Sequence, residues 1–117
     1  MHRSKVVEIG DQALDKDENM LIFFGAGITD GLRPYSVLHE VEKPEEIVLR
    51  TGDYITFGDQ DYQITDVGHL VNQNMRTIQH VCFVFSDVPS DKLSSSIYLT
   101  PTKMPEIKKG MMITYHE

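Results

Sequence analysis

Residues 52–65 constrain the fold of this chain more than any other stretch. Gly52-Asp53 opens a run in which Ile55 and Phe57 alternate with Tyr54 and Thr56, and Gly58-Asp59-Gln60-Asp61 turns it back into Tyr62-Gln63-Ile64-Thr65. Alternation on both arms is a period-2 signal, which buries one face of a β-hairpin and cannot form the apolar stripe of a helix. Other segments share this character. Val6, Val7 and Ile9 form a β-prone start closed by Gly10, Met20 to Phe24 reads as a buried strand stopped by Gly25, and Tyr35 to His39 resumes a strand pattern. Three glycines and Pro34 between residues 25 and 34 exclude a long helix there. Val81-Cys82-Phe83-Val84-Phe85 is apolar throughout, as expected of a strand covered on both faces. Ile97 to Leu99 and Met111 to Tyr115 supply the last strands, with Pro101 and Pro105 between them. The segments from Asp11 to Asn19 and from Glu40 to Glu46 are polar, largely acidic connections.

One helix is expected, over about residues 70–78, because Val71, Met75 and Ile78 fall at i, i+4 and i+7. Six to eight short strands, about as many as the pattern allows, with this single insertion point to an all-β barrel or barrel-like sandwich. With 117 residues, the chain 1–117 is expected to form one domain with its own core. Its single cysteine, Cys82, rules out an internal disulfide framework and reads as a small core residue.

Eleven basic against eighteen acidic residues leave a formal charge of −7, which repels nucleic acid and anionic membrane surfaces. The longest apolar runs are far below the ~20 residues that span a bilayer, and no signal-peptide pattern follows the basic N-terminus, so a cytoplasmic protein is expected. Nucleotide-binding glycine motifs and the Gly-x-Ser-x-Gly nucleophile motif are absent, and Gly25-Ala26-Gly27 reads as a turn. No metal or other cofactor is expected: His69 and His80 fit no zinc spacing, and one cysteine supplies no thiolate cluster. Five histidines remain as candidate nucleophiles or bases, His2, His39, His69, His80 and His116, each with a structural alternative.

Several ordered segments narrow that choice. Glu18-Asn19-Met20-Leu21-Ile22-Phe23-Phe24 followed by Tyr35-Ser36-Val37-Leu38-His39 resembles the N-terminal half of the glucitol/sorbitol-specific IIA component of the bacterial phosphoenolpyruvate-dependent sugar phosphotransferase system. Gly52-Asp53 leading into Ile55-Thr56-Phe57-Gly58, Tyr62 to Gly68, and Asn74-Met75-Arg76 ending at His80 resemble that family's central segment in the same order. The resemblance covers roughly residues 5 to 115. It implies that His39 accepts a phosphoryl group from the phosphocarrier protein HPr and passes it to a cysteine of the cognate IIB domain of a membrane permease. Contact with the membrane would then be peripheral, through that permease. Neutral imidazole suits such a relay, because it attacks phosphorus as a nucleophile and leaves again readily.

Phosphoryl transfer also needs a donor for the charge on the phosphoryl oxygens. His80 is the candidate, against an ordinary histidine at a strand start. Arg76, one helical turn before His80 if the helix continues, is a possible support, against a solvated surface arginine. A carrier of this kind is expected to expose an imidazole nitrogen in a shallow apolar depression, with His39 and His80 on neighbouring strands. The alternative from another class is a non-catalytic β-barrel binding module in which both histidines are merely packed or exposed.

Overall fold

Alternating burial is what closes this chain on itself. In a computed structural model, which describes residues 1–14 and 19–117, the hairpin forms β4 (Tyr54–Phe57) and β5 (Gln60–Val67), with Ile55, Phe57, Tyr62 and Ile64 buried on one side. Phe57 pairs with Gln60 across the two-residue turn Gly58-Asp59, and Gly58 takes a φ of 68°, a left-handed value that glycine adopts without a Cβ clash. The remaining strands are β1 (His2–Ile9), β2 (Met20–Phe24), β3 (Val37–Val41), β6 (Val81–Val84), β7 (Ser96–Thr100) and β8 (Met112–His116). They close into a barrel in the order β1-β3-β2-β6-β7-β5-β4-β8, which leaves no open sheet edge. The β2–β3 and β6–β7 pairs are parallel and the other neighbours antiparallel.

Aromatic rings fill the barrel. Phe57 meets Tyr62, Phe83 and Phe85 at centroid distances of 5.5, 5.2 and 5.9 Å, and Phe23 meets Phe83 edge-on at 5.0 Å. Such tilted and edge-to-face pairs favour the positive ring edge over the negative face. The helix α1 (Val71–Thr77) adds Val71 and Met75 to this core.

The structure corrects four expectations. Ile78 does not complete the helix's buried face: the helix ends at Thr77, and Ile78 is 50% exposed because Gln79 turns the chain with a φ of 52°. Residues 81–85 alternate between buried Val81, Phe83 and Phe85 and half-exposed Cys82 and Val84, since a barrel wall covers a strand fully on its inner face only. Tyr35 lies in a 3-10 turn, Arg33–Tyr35, that begins around Pro34 rather than in a strand. Glu40 and Val41 extend β3 beyond the expected loop because they pair with Lys5 and Ser4 of β1. The centre of the acidic stretch between Asp11 and Asn19, residues 15–18, lies outside the described residues. Among the described residues no helix is long and apolar enough to cross a membrane.

The amide of Asn72 ties the helix to the loop that precedes β4. Asn72 accepts from the Leu49 backbone N–H at 2.7 Å and donates to the Leu49 carbonyl at 3.1 Å. Asn72→Ala leaves both backbone groups without a partner, and unfolding in urea is expected to show a loss of about 1–3 kcal/mol. An unchanged midpoint would mean that water replaces the amide at no cost.

Candidate functional site

His39 faces the barrel interior because it shares strand parity with the buried Val37, while Glu40, one residue on, is exposed. Its ring is 1% exposed and bonded at both nitrogens. Nε2 lies 2.7 Å from the Gln79 carbonyl and Nδ1 lies 3.3 Å from Ser4 Oγ. Ser4 Oγ is in turn 2.9 Å from the hydroxyl of Tyr115. A carbonyl can only accept, so Nε2 carries the ring proton and Nδ1 the lone pair. The Ser4 hydroxyl then donates to Nδ1, and the Tyr115 hydroxyl donates to Ser4. The edge of the His39 ring meets Phe23 at a centroid distance of 5.1 Å.

Burial holds the His39 pKa down at about 4, outweighing the Gln79 carbonyl, which favours the protonated ring; nearby His80 pushes it down further. His39 is therefore a neutral, oriented imidazole near neutral pH. The expectation of an exposed nitrogen fails because an inward register position on β3 encloses the ring, and hydroxyl and carbonyl partners make that burial tolerable.

His80 stands at the entrance to β6, directly after the left-handed corner at Gln79. Its Nδ1 lies 3.0 Å from the Phe23 carbonyl, its ring stacks on Phe24 at 4.0 Å, and its Nε2 is 4.0 Å from Cys82 Sγ. It is half-buried, and its pKa is lowered by that burial against the opposing pull of the Phe23 carbonyl. The two histidines are not on neighbouring strands, because β2 runs between β3 and β6. They meet instead through backbone: His39 bonds the carbonyl of the residue preceding His80, and Phe23 touches His39 by its ring and His80 by its carbonyl. Gly25 lies close against this corner. Its N–H donates to the Ile78 carbonyl at 3.0 Å, and a Cβ there would collide with the Gln79 side chain.

Arg76 is placed elsewhere. Since α1 stops at Thr77, no further helical turn links it to His80, and its Nε donates to the Ile47 carbonyl at 3.3 Å, bracing the loop that Asn72 also holds. His69 is exposed, and His116 stacks on Tyr54 and lies 3.1 Å from Thr56 Oγ1. The Cys82 thiol is pushed up to about 11, chiefly by burial, so it stays protonated near neutral pH. Among the described residues no three His, Cys, Asp or Glu side chains group to hold a metal ion. Ser4, Gln79 and Tyr115 complete the site without having been expected. The parity of Ser4 with Val6, and of Tyr115 with Ile113, is the one signal in the sequence that turns these polar groups inward.

A family model described as the PTS system glucitol/sorbitol-specific IIA component matches residues 1–114. The PTS system glucitol/sorbitol-specific EIIA component of Escherichia coli (strain K12) is 22% identical over 116 residues, covering 98% of this chain and 94% of its own length. The corresponding protein of Shigella flexneri matches with the same identity and coverage, 22% over 116 residues. Among solved structures, the crystal structure of a PTS system IIA component from Enterococcus faecalis V583 superposes with a TM-score of 0.95 at 36% identity, covering 98% of this chain and 99% of that one.

Proposed function

The chain belongs to the glucitol/sorbitol-specific IIA component family of the sugar phosphotransferase system, and from that premise we propose that it is a cytoplasmic histidine phosphocarrier: His39 takes a phosphoryl group from phospho-HPr and passes it to the cysteine of the cognate IIB domain. The observation that carries this reading is the state of His39, a ring kept neutral by burial and fixed in direction by partners on both nitrogens. A nucleophile for phosphorus needs both properties, because the reaction depends on in-line positioning.

Nε2 is the attacking nitrogen. Nδ1 faces Ser4 in the interior, whereas Nε2 faces Gln79, a half-exposed residue in a left-handed corner between α1 and β6. Attack requires that corner to withdraw its carbonyl and the ring proton to stand on Nδ1. The P–N bond of the donor then breaks as the P–Nε2 bond forms, and the donor imidazole leaves with the electron pair. His80 answers the charge brought in. While neutral it holds its proton on Nδ1 against the Phe23 carbonyl, and a phosphoryl dianion at His39 favours a second proton on Nε2, which then donates to the phosphoryl oxygens. His80→Asn is expected to fold normally and slow transfer from phospho-HPr by about 10–1000-fold, as loss of other charge-stabilising donors does. An unchanged rate would remove His80 from the mechanism.

A second reading has its own observation: His80 is half-buried, and among the described residues the partner of its Nε2 is a thiol at 4.0 Å, which makes it more accessible than His39. As acceptor, His80 would lose all labelling when replaced by Asn rather than slow it. The decisive incubation combines the protein with phosphoenolpyruvate, enzyme I and HPr. Acid-labile, base-stable phosphate supports a carrier, and its absence would leave a non-catalytic barrel.

A further inference from the structure

We infer that Ser4 is a positioning residue for this transfer, its hydroxyl serving as a reversible partner that holds His39 Nδ1 both before and after the ring proton changes sides. The inference rests on His39 as the phosphoryl acceptor.

Ser4 is fully buried at an inward position of β1, where the next inward residue is Val6. A hydroxyl placed there is destabilising unless it is bonded, and it is bonded on both sides, to His39 at 3.3 Å and to Tyr115 at 2.9 Å. In the closed state the chain runs inward: Tyr115 donates to Ser4, and Ser4 donates to the Nδ1 lone pair. That sense is imposed by the Gln79 carbonyl, which occupies the Nε2 proton.

Transfer reverses the demand on Nδ1. Before attack, with the Gln79 corner open, water takes the proton from Nε2 and returns one to Nδ1, so ring and solvent each end with the charge they began with. Nε2 then spends its lone pair on phosphorus while the donor nitrogen keeps the pair of the broken P–N bond, and Nδ1–H remains. That buried N–H now needs an acceptor. A backbone carbonyl at Nδ1 would serve only this state and an amide N–H only the closed one, whereas a hydroxyl rotates and serves both. Ser4 turns to accept from Nδ1–H and to donate to the Tyr115 oxygen. Tyr115 does not act as a base, since burial raises its pKa above the ordinary phenol range and keeps it a phenol. Its hydroxyl steadies Ser4 from the opposite side in either sense.

A purely structural Ser4 would only keep the Tyr115 hydroxyl satisfied, so the test separates stability from transfer. Ser4→Ala strands both that hydroxyl and His39 Nδ1; the double variant Ser4→Ala/Tyr115→Phe removes the hydroxyl and leaves Nδ1 alone unpaired, so thermal unfolding is measured beside transfer and rates are taken per folded molecule. Tyr115→Phe alone keeps the Ser4 hydroxyl. Each is labelled with 15N-histidine and phosphorylated from phospho-HPr. Per folded molecule, Ser4→Ala and the double variant are expected to accept phosphate about 10–100-fold more slowly, the size of loss seen when a metal-bound imidazole is deprived of its outer hydrogen-bond partner, with Tyr115→Phe within a few-fold of the natural protein. The 15N spectrum of the natural protein is expected to show Nε2–H before phosphorylation and Nδ1–H after it. A double variant that accepts phosphate at the natural rate, or phosphate found on Nδ1, would overturn the role of Ser4. Natural protein that takes no phosphate on His39 would instead overturn the functional reading beneath it.

Discussion

His39→Gln is expected to accept no phosphate from phospho-HPr while retaining the barrel. Glutamine is the informative replacement because its amide offers an N–H toward the Gln79 carbonyl and an oxygen toward Ser4, the two partners that the imidazole uses. His39→Ala removes the same nucleophile but leaves the Ser4 hydroxyl and the Gln79 carbonyl unpaired beside a void, a loss of about 1–3 kcal/mol for each stranded group. An exposed acceptor would have left the fold indifferent to either change. Label incorporation and thermal unfolding of both variants check this together: no label in either, and a lower Tm for alanine than for glutamine. Full labelling of His39→Gln would move the acceptor to another residue.

The same buried ring makes the barrel sensitive to mild acid. The pKa of His39 is depressed to about 4 from the ordinary 6.5, so between these values the unfolded chain binds more protons than the folded one. Stability therefore rises with pH across that window. The contribution is fully present above 6.5, falls as the pH drops toward 4, and changes no further below it. A shift of this size corresponds to about 3 kcal/mol, against about 5–15 kcal/mol for a whole small domain. His80, depressed in the same direction, adds to the loss. Urea midpoints at pH 7.5 and 4.5 isolate the effect when His39→Gln is measured alongside, because its carboxylates titrate as before while the ring is gone. The variant is expected to lose much less stability over this range. Equal losses in the two proteins would show that His39 is not the buried titrating group.

How much of this was legible in the sequence depends on whether the cause was local. The hairpin read over residues 52–65 and the helix near Val71 are written in periodicity, and the strand at Met20 to Phe24 in an apolar run stopped by Gly25; all three form, with the hairpin's second arm running on to Val67 and the helix ending at Thr77. The extension of β3 through Glu40 and Val41 is not, because an acidic stretch reads as loop until β1 pairs with it. The apolar run at Val81 misleads for a related reason: apolar residues on the outer wall of a barrel look no different from buried ones. At the site, the burial of His39 was present in its parity with Val37, yet a reactive histidine invites the expectation of exposure. Ser4 and Tyr115 are separated by 111 positions and meet only because β8 closes against β1. Gln79 acts through its backbone carbonyl, which no side-chain pattern announces. Arg76 was drawn toward His80 by a helix assumed to continue, and the left-handed corner at Gln79 removes that link.

The central claim, that the phosphoryl group rests on His39, is tested most directly by locating it on the natural protein. The chain is phosphorylated with phosphoenolpyruvate, enzyme I and HPr, digested at alkaline pH to preserve the phosphoramidate, and its peptides are fragmented. The account predicts phosphate on His39, linked through Nε2. Phosphate on His80, or on any of His2, His69 and His116, would contradict it.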